Sequence, residues 1–316
     1  WMQKDGIQNC WDAVKSTWNK KKEWKCIIEL HEGKIPMISI TDYGTHGLTG
    51  RRMSNADLLK EDPGNNERWT RFENLAFTTT TDKDKELLGS RGRGKFIFSG
   101  CSKTRITLYD TLRDDGIYRL GKRVVQKIDA PTQVAEGKDA MDILNTYTNG
   151  VIKPLRHVGS RIIIMDPKKQ VIDDIKSGKF EEFISNTWWE IILKYGAEII
   201  IKADSKQRTV KSFADKNYFE KAKTKDQRIL KNECIKIPNQ GNLRAKKLYV
   251  KYDPDVTYEE RHKGIAIQRG GMNICRYDVT EILDPEYGKH ITGYITFERE
   301  FEKELRKAEG VEHYSY

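Results

Sequence analysis

Three short stretches near the start of the chain gather side chains capable of chemistry. In the first, Asp5, Asn9 and Asp12 recur at helical spacing and fall within a sector of roughly 60° at about 100° per residue. Ile7, Cys10, Trp11, Val14 and Trp18 occupy nearly the opposite side, so one face is core and the other carries two carboxylates and an amide in a row. A solvated polar face would read the same way. The second stretch is Thr41-Asp42-Tyr43-Gly44-Thr45-His46-Gly47-Leu48. A carboxylate closing an apolar strand accepts a hydrogen bond from an exocyclic amine, as adenine offers, and the following glycines let backbone approach a flat ligand closely. An ordinary Asx-type turn after a strand has the same residues.

The third stretch, Gly89-Ser90-Arg91-Gly92-Arg93-Gly94-Lys95, leads into an expected helix at Phe96–Ser102. Glycines there let successive N–H groups point at one anion, the helix start adds favourable partial charge, and the basic side chains add charge-assisted bonds. A P-loop needs Ser or Thr after its lysine to hold magnesium, and Phe96 stands there instead. The preceding Glu86-Leu87-Leu88 is also a poor central strand, so the P-loop reading is rejected.

The elements that must position these groups follow from periodicity. A helix runs from Met2 to Trp18, and strands are expected at Cys26–Leu30 and Pro36–Thr41 around a turn at Glu32-Gly33. Further strands are expected at Thr104–Leu112, Tyr118–Ile128, Arg161–Met165 and Ala197–Ala203. One helix is expected over Phe180–Tyr195, buried through Phe183, Ile184, Thr187, Trp188, Ile191 and Ile192. Thr78–Asp84, four threonines followed by charges, reads as mobile. After Ala203 the character changes: residues 202–236 hold 11 basic and 5 acidic side chains. Strands at Lys247–Tyr252, Gly264–Gln268, Met272–Tyr277 and Ile291–Phe297 follow, then a charged helix at Glu298–Glu309. The expected domains are 1–203 and 204–316.

Composition narrows the class. Of 316 residues 33% are charged and 37% hydrophobic, and no apolar run approaches the eighteen or so residues of a membrane helix. Five scattered cysteines without CxxC spacing (Cys10, Cys26, Cys101, Cys234, Cys275) argue against a disulfide framework or zinc site and for the reducing cytoplasm. Lys plus Arg exceed Asp plus Glu by 57 − 47 = 10, which favours anionic partners. Opening on Trp1 with helical pattern already running, the chain reads as trimmed, with an N-terminal element missing.

Taken in order, these stretches resemble the GHKL superfamily of gyrase, ninety-kilodalton heat-shock chaperones, histidine kinases and mismatch-repair ATPases. The first helix, Gln8-Asn9-Cys10-Trp11-Asp12-Ala13 with an acidic residue four positions before the asparagine, resembles its N-box. Asp42-Tyr43-Gly44 resembles its adenine-binding box, and residues 89–95 its ATP lid. Gly159-Ser160-Arg161-Ile162-Ile163-Ile164 resembles its later Gly-Thr strand. The resemblance covers roughly residues 3–165. It implies an α/β chain: a Bergerat-type, two-layer ATP-binding sandwich, then a smaller α/β transducer-like domain.

The resemblance also implies roles. Asn9 would coordinate Mg2+ on the ATP phosphates, with Asp12 supporting the site's edge. Asp42 would bind the adenine amine, aided by the Ser160 hydroxyl, and Gly44 and Gly47 would line base and sugar. Arg91, Gly92, Gly94 and Lys95 would close over the phosphates, and Asp5 would orient or deprotonate the attacking water. Arg269, in the turn Gln268-Arg269-Gly270-Gly271-Met272, is the candidate for the γ-phosphate, against the reading of an exposed hairpin arginine. Asp5 replaces the usual Glu, and Gly44-Thr45-His46-Gly47 has one residue more between glycines than the family's box. Both departures spare binding more than hydrolysis.

The implied activity is a slow, magnesium-dependent ATPase working as a conformational switch, in a homodimer or larger assembly, with no membrane partner. Such proteins also occur in prokaryotic defence and DNA-processing systems. The alternative is a nucleic-acid-binding module with a degenerate nucleotide site, resting on the basic 202–236 segment and on Phe213, Tyr218 and Phe219 as stacking groups.

Overall fold

The computed structural model describes residues 2–15, 24–58, 60–61, 64, 67–73, 94–125, 133–236, 244–297 and 301. The Thr78–Asp84 stretch, Arg91 and Gly92, and the expected helix at Glu298–Glu309, apart from Phe301, lie outside them. The chain forms two compact units, residues 1–181 with 198–210, and 182–197 with 211–316. Both are α/β. No helix among the described residues is long and apolar enough to cross a membrane.

The first unit is built on an eight-stranded mixed sheet. Its strands are β1 (Lys25–His31), β2 (Met37–Tyr43), β3 (Ile106–Leu112), β4 (Tyr118–Val124), β5 (Gln133–Glu136), β6 (Gly159–Met165), β7 (Glu198–Ala203) and β8 (Lys206–Thr209). Their order is β5-β4-β3-β6-β2-β1-β7-β8, antiparallel throughout except where β1 runs parallel to β7. The central strands are rich in isoleucine, whose branched side chains suit a pleated, buried surface. Successive side chains alternate between the faces. Ile38, Ile40 and Asp42 therefore share a face with Cys26, Ile28 and Leu30 of β1, and with Thr107, Tyr109 and Thr111 of β3.

Three helices lie on that face: α1 (Met2–Lys15), α3 (Arg68–Glu73) and α4 (Gly94–Cys101). A short α2 (Asn55–Leu58) lies between the first two in sequence. Gly6 fixes the approach of α1, since a Cβ on it would stand 2.7 Å from the Ile40 side chain. On α3, Trp69 and Phe72 pack on Tyr109, with ring centroids 5.2 and 4.9 Å apart. From α4, Ser99 shares a 3.0 Å hydrogen bond with Thr107. On the opposite face α5 (Gly137–Thr148) sets Ala140 and Leu144 against Leu108, Tyr118, Leu120, Ile163 and Met165. That helix was not anticipated, and neither was α6 (Lys169–Lys176), which packs by β7.

Beneath the opposite face lies a buried ion pair. Arg161 donates from Nε to Asp110 Oδ1 at 2.9 Å and from Nη2 to Oδ2 at 2.5 Å, and Tyr118 Oη donates to Oδ2 at 2.7 Å. Asp110 is fully buried. The burial that would disfavour its charge is answered by three donors.

The second unit carries a five-stranded sheet, ordered β12-β11-β13-β10-β9. Its strands are β9 (Arg228–Lys236), β10 (Arg244–Tyr252), β11 (Gly264–Arg269), β12 (Met272–Tyr277) and β13 (Ile291–Phe297). A short helix, α9 (Pro285–Gly288), precedes β13. The single helix expected over 180–195 is two, α7 (Lys179–Thr187) and α8 (Trp189–Tyr195), broken at Trp188 with φ −113° and ψ 15°. Residues 187–191 are buried without interruption. One amphipathic helix with a single apolar stripe cannot deliver such a run.

The aromatic groups of the basic segment also read differently in space. Phe219 is buried, and Phe213 and Tyr218 pack beside it against Trp189, Tyr249 and Tyr294. Trp189 touches Phe213, Phe219 and Tyr294 at centroid distances of 5.8, 5.7 and 5.2 Å. These rings are core of the second unit, not a stacking platform for bases.

Removing one member of a buried, hydrogen-bonded ion pair strands the other charge and costs about 3–5 kcal/mol, whereas exposed pairs contribute about 0–1 kcal/mol. Asp110→Ala is therefore expected to destabilise the first unit by about 3–5 kcal/mol. Lys103→Ala, which breaks the more exposed Lys103–Asp166 pair, should change stability by less than about 1 kcal/mol. Chemical denaturation of both variants compares them; equal effects would contradict a structural role for the buried pair.

Candidate nucleotide site

Asp42 is the last buried residue of β2, on the face that α1 covers. Two donors hold its Oδ1: the Ser160 backbone N–H at 2.5 Å and the Thr45 hydroxyl at 3.1 Å. Among the described residues Oδ2 accepts no hydrogen bond. Ser160, expected to support Asp42 by its hydroxyl, holds the carboxylate through its backbone amide. The Ser160 hydroxyl lies 3.4 Å from that of Thr111 instead. The approach depends on the preceding residue having no side chain. A Cβ on Gly159 would stand 2.3 Å from the Asp42 carbonyl oxygen and 2.9 Å from Oδ1.

The loop after Asp42 is shaped by its glycines and by two threonines. Gly44 and Gly47 adopt φ of 78° and 71°, where a side chain is strained. Thr45 Oγ1 accepts from the Gly47 N–H at 3.2 Å while donating to Asp42. The fully buried Thr111 hydroxyl accepts from the Leu48 N–H at 2.9 Å and donates to the Gly159 carbonyl at 2.8 Å. One side chain thus ties the loop, β3 and β6 together. Sequence reasoning did not single out Thr45 or Thr111. A threonine three residues after an aspartate in a glycine-rich loop is the available signal for the first.

Burial pushes the Asp42 carboxyl up to about 7, against the Ser160 amide, the Thr45 hydroxyl and the Arg68 guanidinium, which pull it down. Arg68, at the start of α3, is half-buried, and burial lowers its pKa while Asp114 and Asp42 raise it. Its position is set by the Trp69 N–H, which donates to the Thr49 carbonyl at 2.9 Å. Nothing in the sequence pattern pointed to Arg68.

The first helix reaches the same place through sulfur. The Cys26 thiol lies 3.8 Å from Cys10 Sγ, and Cys26 pairs directly with Asp42 across β1 and β2. Both are free thiols. The Cys26 hydrogen bond, followed by burial, holds the Cys10 thiol well above the usual range. Asn9, next to Cys10, is exposed, while Asp5 and Asp12 on the same sector are 6% and 9% exposed. The row is therefore not a solvated polar face; only its amide meets solvent.

Of the lid residues, Gly94 opens α4, which packs beside α1, and Lys95 follows it in the first turn. Arg269 belongs to the second unit. It ends β11 before a two-residue turn with Gly270 at φ 56° and Gly271 at φ 87°, the backbone a type I′ hairpin requires. The arginine is 2% exposed, so the reading of an exposed hairpin side chain is overturned.

No protein-family model matches the chain, and no curated protein does. Among solved structures it is similar to the 43K ATPase domain of Thermus thermophilus gyrase B in complex with an aminocoumarin. The two share 9% identity over 94% of this chain and 74% of that one, with a TM-score of 0.47. A likeness of that size says nothing about individual residues.

The raised Asp42 pKa has a testable sign. The folded value of about 7 exceeds the ordinary value of about 3.9, so the associated stability is full below about pH 4 and is lost as pH rises through about 7. Asp42→Asn removes that loss. The stability of Asp42→Asn relative to wild type should rise between pH 4.5 and 7.5 and level off above it. Denaturation at three pH values measures the difference; a difference independent of pH would contradict the burial of this charge.

Proposed function

We propose that the chain binds Mg-ATP on the α1 face of its first unit and hydrolyses it slowly, as a nucleotide-driven switch. The observation that carries the reading is the Asp42 carboxylate, whose Oδ1 is held by Ser160 and Thr45 and whose Oδ2 accepts no hydrogen bond among the described residues. An adenine amine supplies the matching donor. The order of motifs agrees, with the exposed Asn9 amide on α1 and Gly94 at the start of α4 on the same face.

Magnesium takes oxygen ligands and keeps several waters beside nucleotide phosphates. The exposed Asn9 amide oxygen fits such a role. When bound, the metal would neutralise charge on the phosphates. Asn9 would hold it, and Asp5, one helical turn earlier, would orient the attacking water. Phosphoryl transfer asks a protein mainly for positioning and charge stabilisation. Asp5 therefore governs rate more than affinity, and its reach is one methylene shorter than that of the family's usual glutamate. A switch further requires the nucleotide to bind one conformation more tightly than another.

Three substitutions separate these roles. Asp42→Asn turns an acceptor into a donor facing the base amine, and Asn9→Ala removes the metal ligand. Each is expected to weaken Mg-ATP binding by about five- to a hundredfold, the range of a lost buried polar contact. Asp5→Asn should keep affinity nearly intact and lower turnover by about 10²–10⁴-fold. Calorimetric titration and steady-state phosphate release read the two quantities. Wild-type ATP affinity in both binding variants would remove the assignment.

A further inference from the structure

Thr45 lies between Gly44 and Gly47, where the chain has one residue more than the family's box. Its hydroxyl donates to Asp42 Oδ1 at 3.1 Å and accepts from the Gly47 N–H at 3.2 Å. Thr45 is itself 7% exposed, so water competes poorly for either bond. The Ser160 hydroxyl, which the resemblance would put on Asp42, lies against Thr111, and Ser160 reaches the carboxylate only through its amide. We infer that Thr45 is the positioning residue of the base-recognising carboxylate: it fixes the rotation of Asp42 so that Oδ2 faces the ligand, and it couples that rotation to the Gly47 turn.

The inference rests on the nucleotide reading for its ligand but not for its geometry. A carboxylate with a single donor on Oδ1 can swing about its χ2 bond, because such terminal torsions are broad. The Ser160 N–H is fixed by the strand and marks one direction. A second donor, from the loop itself, narrows the swing, and the bond that Thr45 accepts from Gly47 orients the threonine in turn. The loop that would line the sugar and the group that would read the base are thereby set by one hydroxyl. Valine keeps the shape of threonine and lacks both bonds. Serine keeps the hydroxyl.

Several charged or titratable groups bear on Asp42. Arg68 comes from α3, Cys10 from α1 and Cys26 from β1, and Tyr43 is its neighbour on β2. None of them changes in the variants that test the idea, so a shift in Asp42 titration between variants reports the hydroxyl.

The experiment uses the full chain, with Thr45→Val and Thr45→Ser, and two readouts. The first is affinity for Mg-ATP by calorimetry at pH 8. Thr45→Val is expected to weaken it about five- to thirtyfold, the lower part of the range for a lost buried hydrogen bond. Thr45→Ser should stay within about twofold of wild type. The second readout needs no nucleotide: the titration midpoint of the Asp42 carboxyl carbon by NMR. Thr45→Val should raise it, because the lost bond favoured the anion, and Thr45→Ser should restore it.

A raised midpoint in a protein that binds no ATP would sustain Thr45 as the positioning residue while removing the nucleotide reading. Wild-type midpoint and affinity in Thr45→Val would overturn the inference. Should Thr45→Val not fold, a Thr45→Ser midpoint displaced as far as that of Asp42 in a Thr45→Ala variant would overturn it equally.

Discussion

Asp42 carries a charge into a place where water scarcely reaches, and much of the first unit is arranged around that fact. A buried carboxylate without donors would stay protonated or push the strand end into solvent. Here Ser160 and Thr45 each give one bond to the same oxygen. The balance is incomplete, since burial still lifts the pKa to about 7. An incompletely satisfied carboxylate is a poor structural element; under the nucleotide reading proposed above, a ligand amine at Oδ2 would supply a further donor.

The neighbouring sequence follows from holding that carboxylate. Gly159 has no side chain because β6 must come within contact of the Asp42 backbone. Gly47 turns at positive φ, and a Cβ there would meet the Thr111 hydroxyl at 2.5 Å. Thr111 closes the knot by bonding both the loop and β6. On the other face of the same strands, Asp110 and Arg161 pair in a buried and better satisfied arrangement. The two carboxylates are close in the sheet and differ in how many donors they meet.

Much of this was legible in the chain. The first helix and the strands β1, β2, β6 and β7 announce themselves through apolar periodicity, and the turn after β2 through its glycines. Other features were hidden for physical reasons. Helix α5 buries only Ala140, Leu144 and Thr148, too sparse a stripe to stand out from its polar residues. The break at Trp188 has no glycine or proline to mark it; only the continuous burial of residues 187–191 explains it. Phe213, Tyr218 and Phe219 among lysines have the same pattern whether they stack on bases or on Trp189. The role of the Ser160 amide could not be read, because every residue but proline offers an N–H and only the fold decides which one is aimed. Asp5 and Asp12 fell on a sector that spacing alone assigned equally to solvent, and only the packed structure buries them.

Where a nucleotide sits on the chain decides the role of Asp42. A crystal structure of the chain with a non-hydrolysable ATP analogue and magnesium tests it most directly. The account predicts the adenine amine within hydrogen-bond distance of Asp42 Oδ2, with Oδ1 still held by Ser160 and Thr45, and the metal on the Asn9 amide. A nucleotide bound elsewhere on the chain, or one whose base turns away from Asp42, would contradict it.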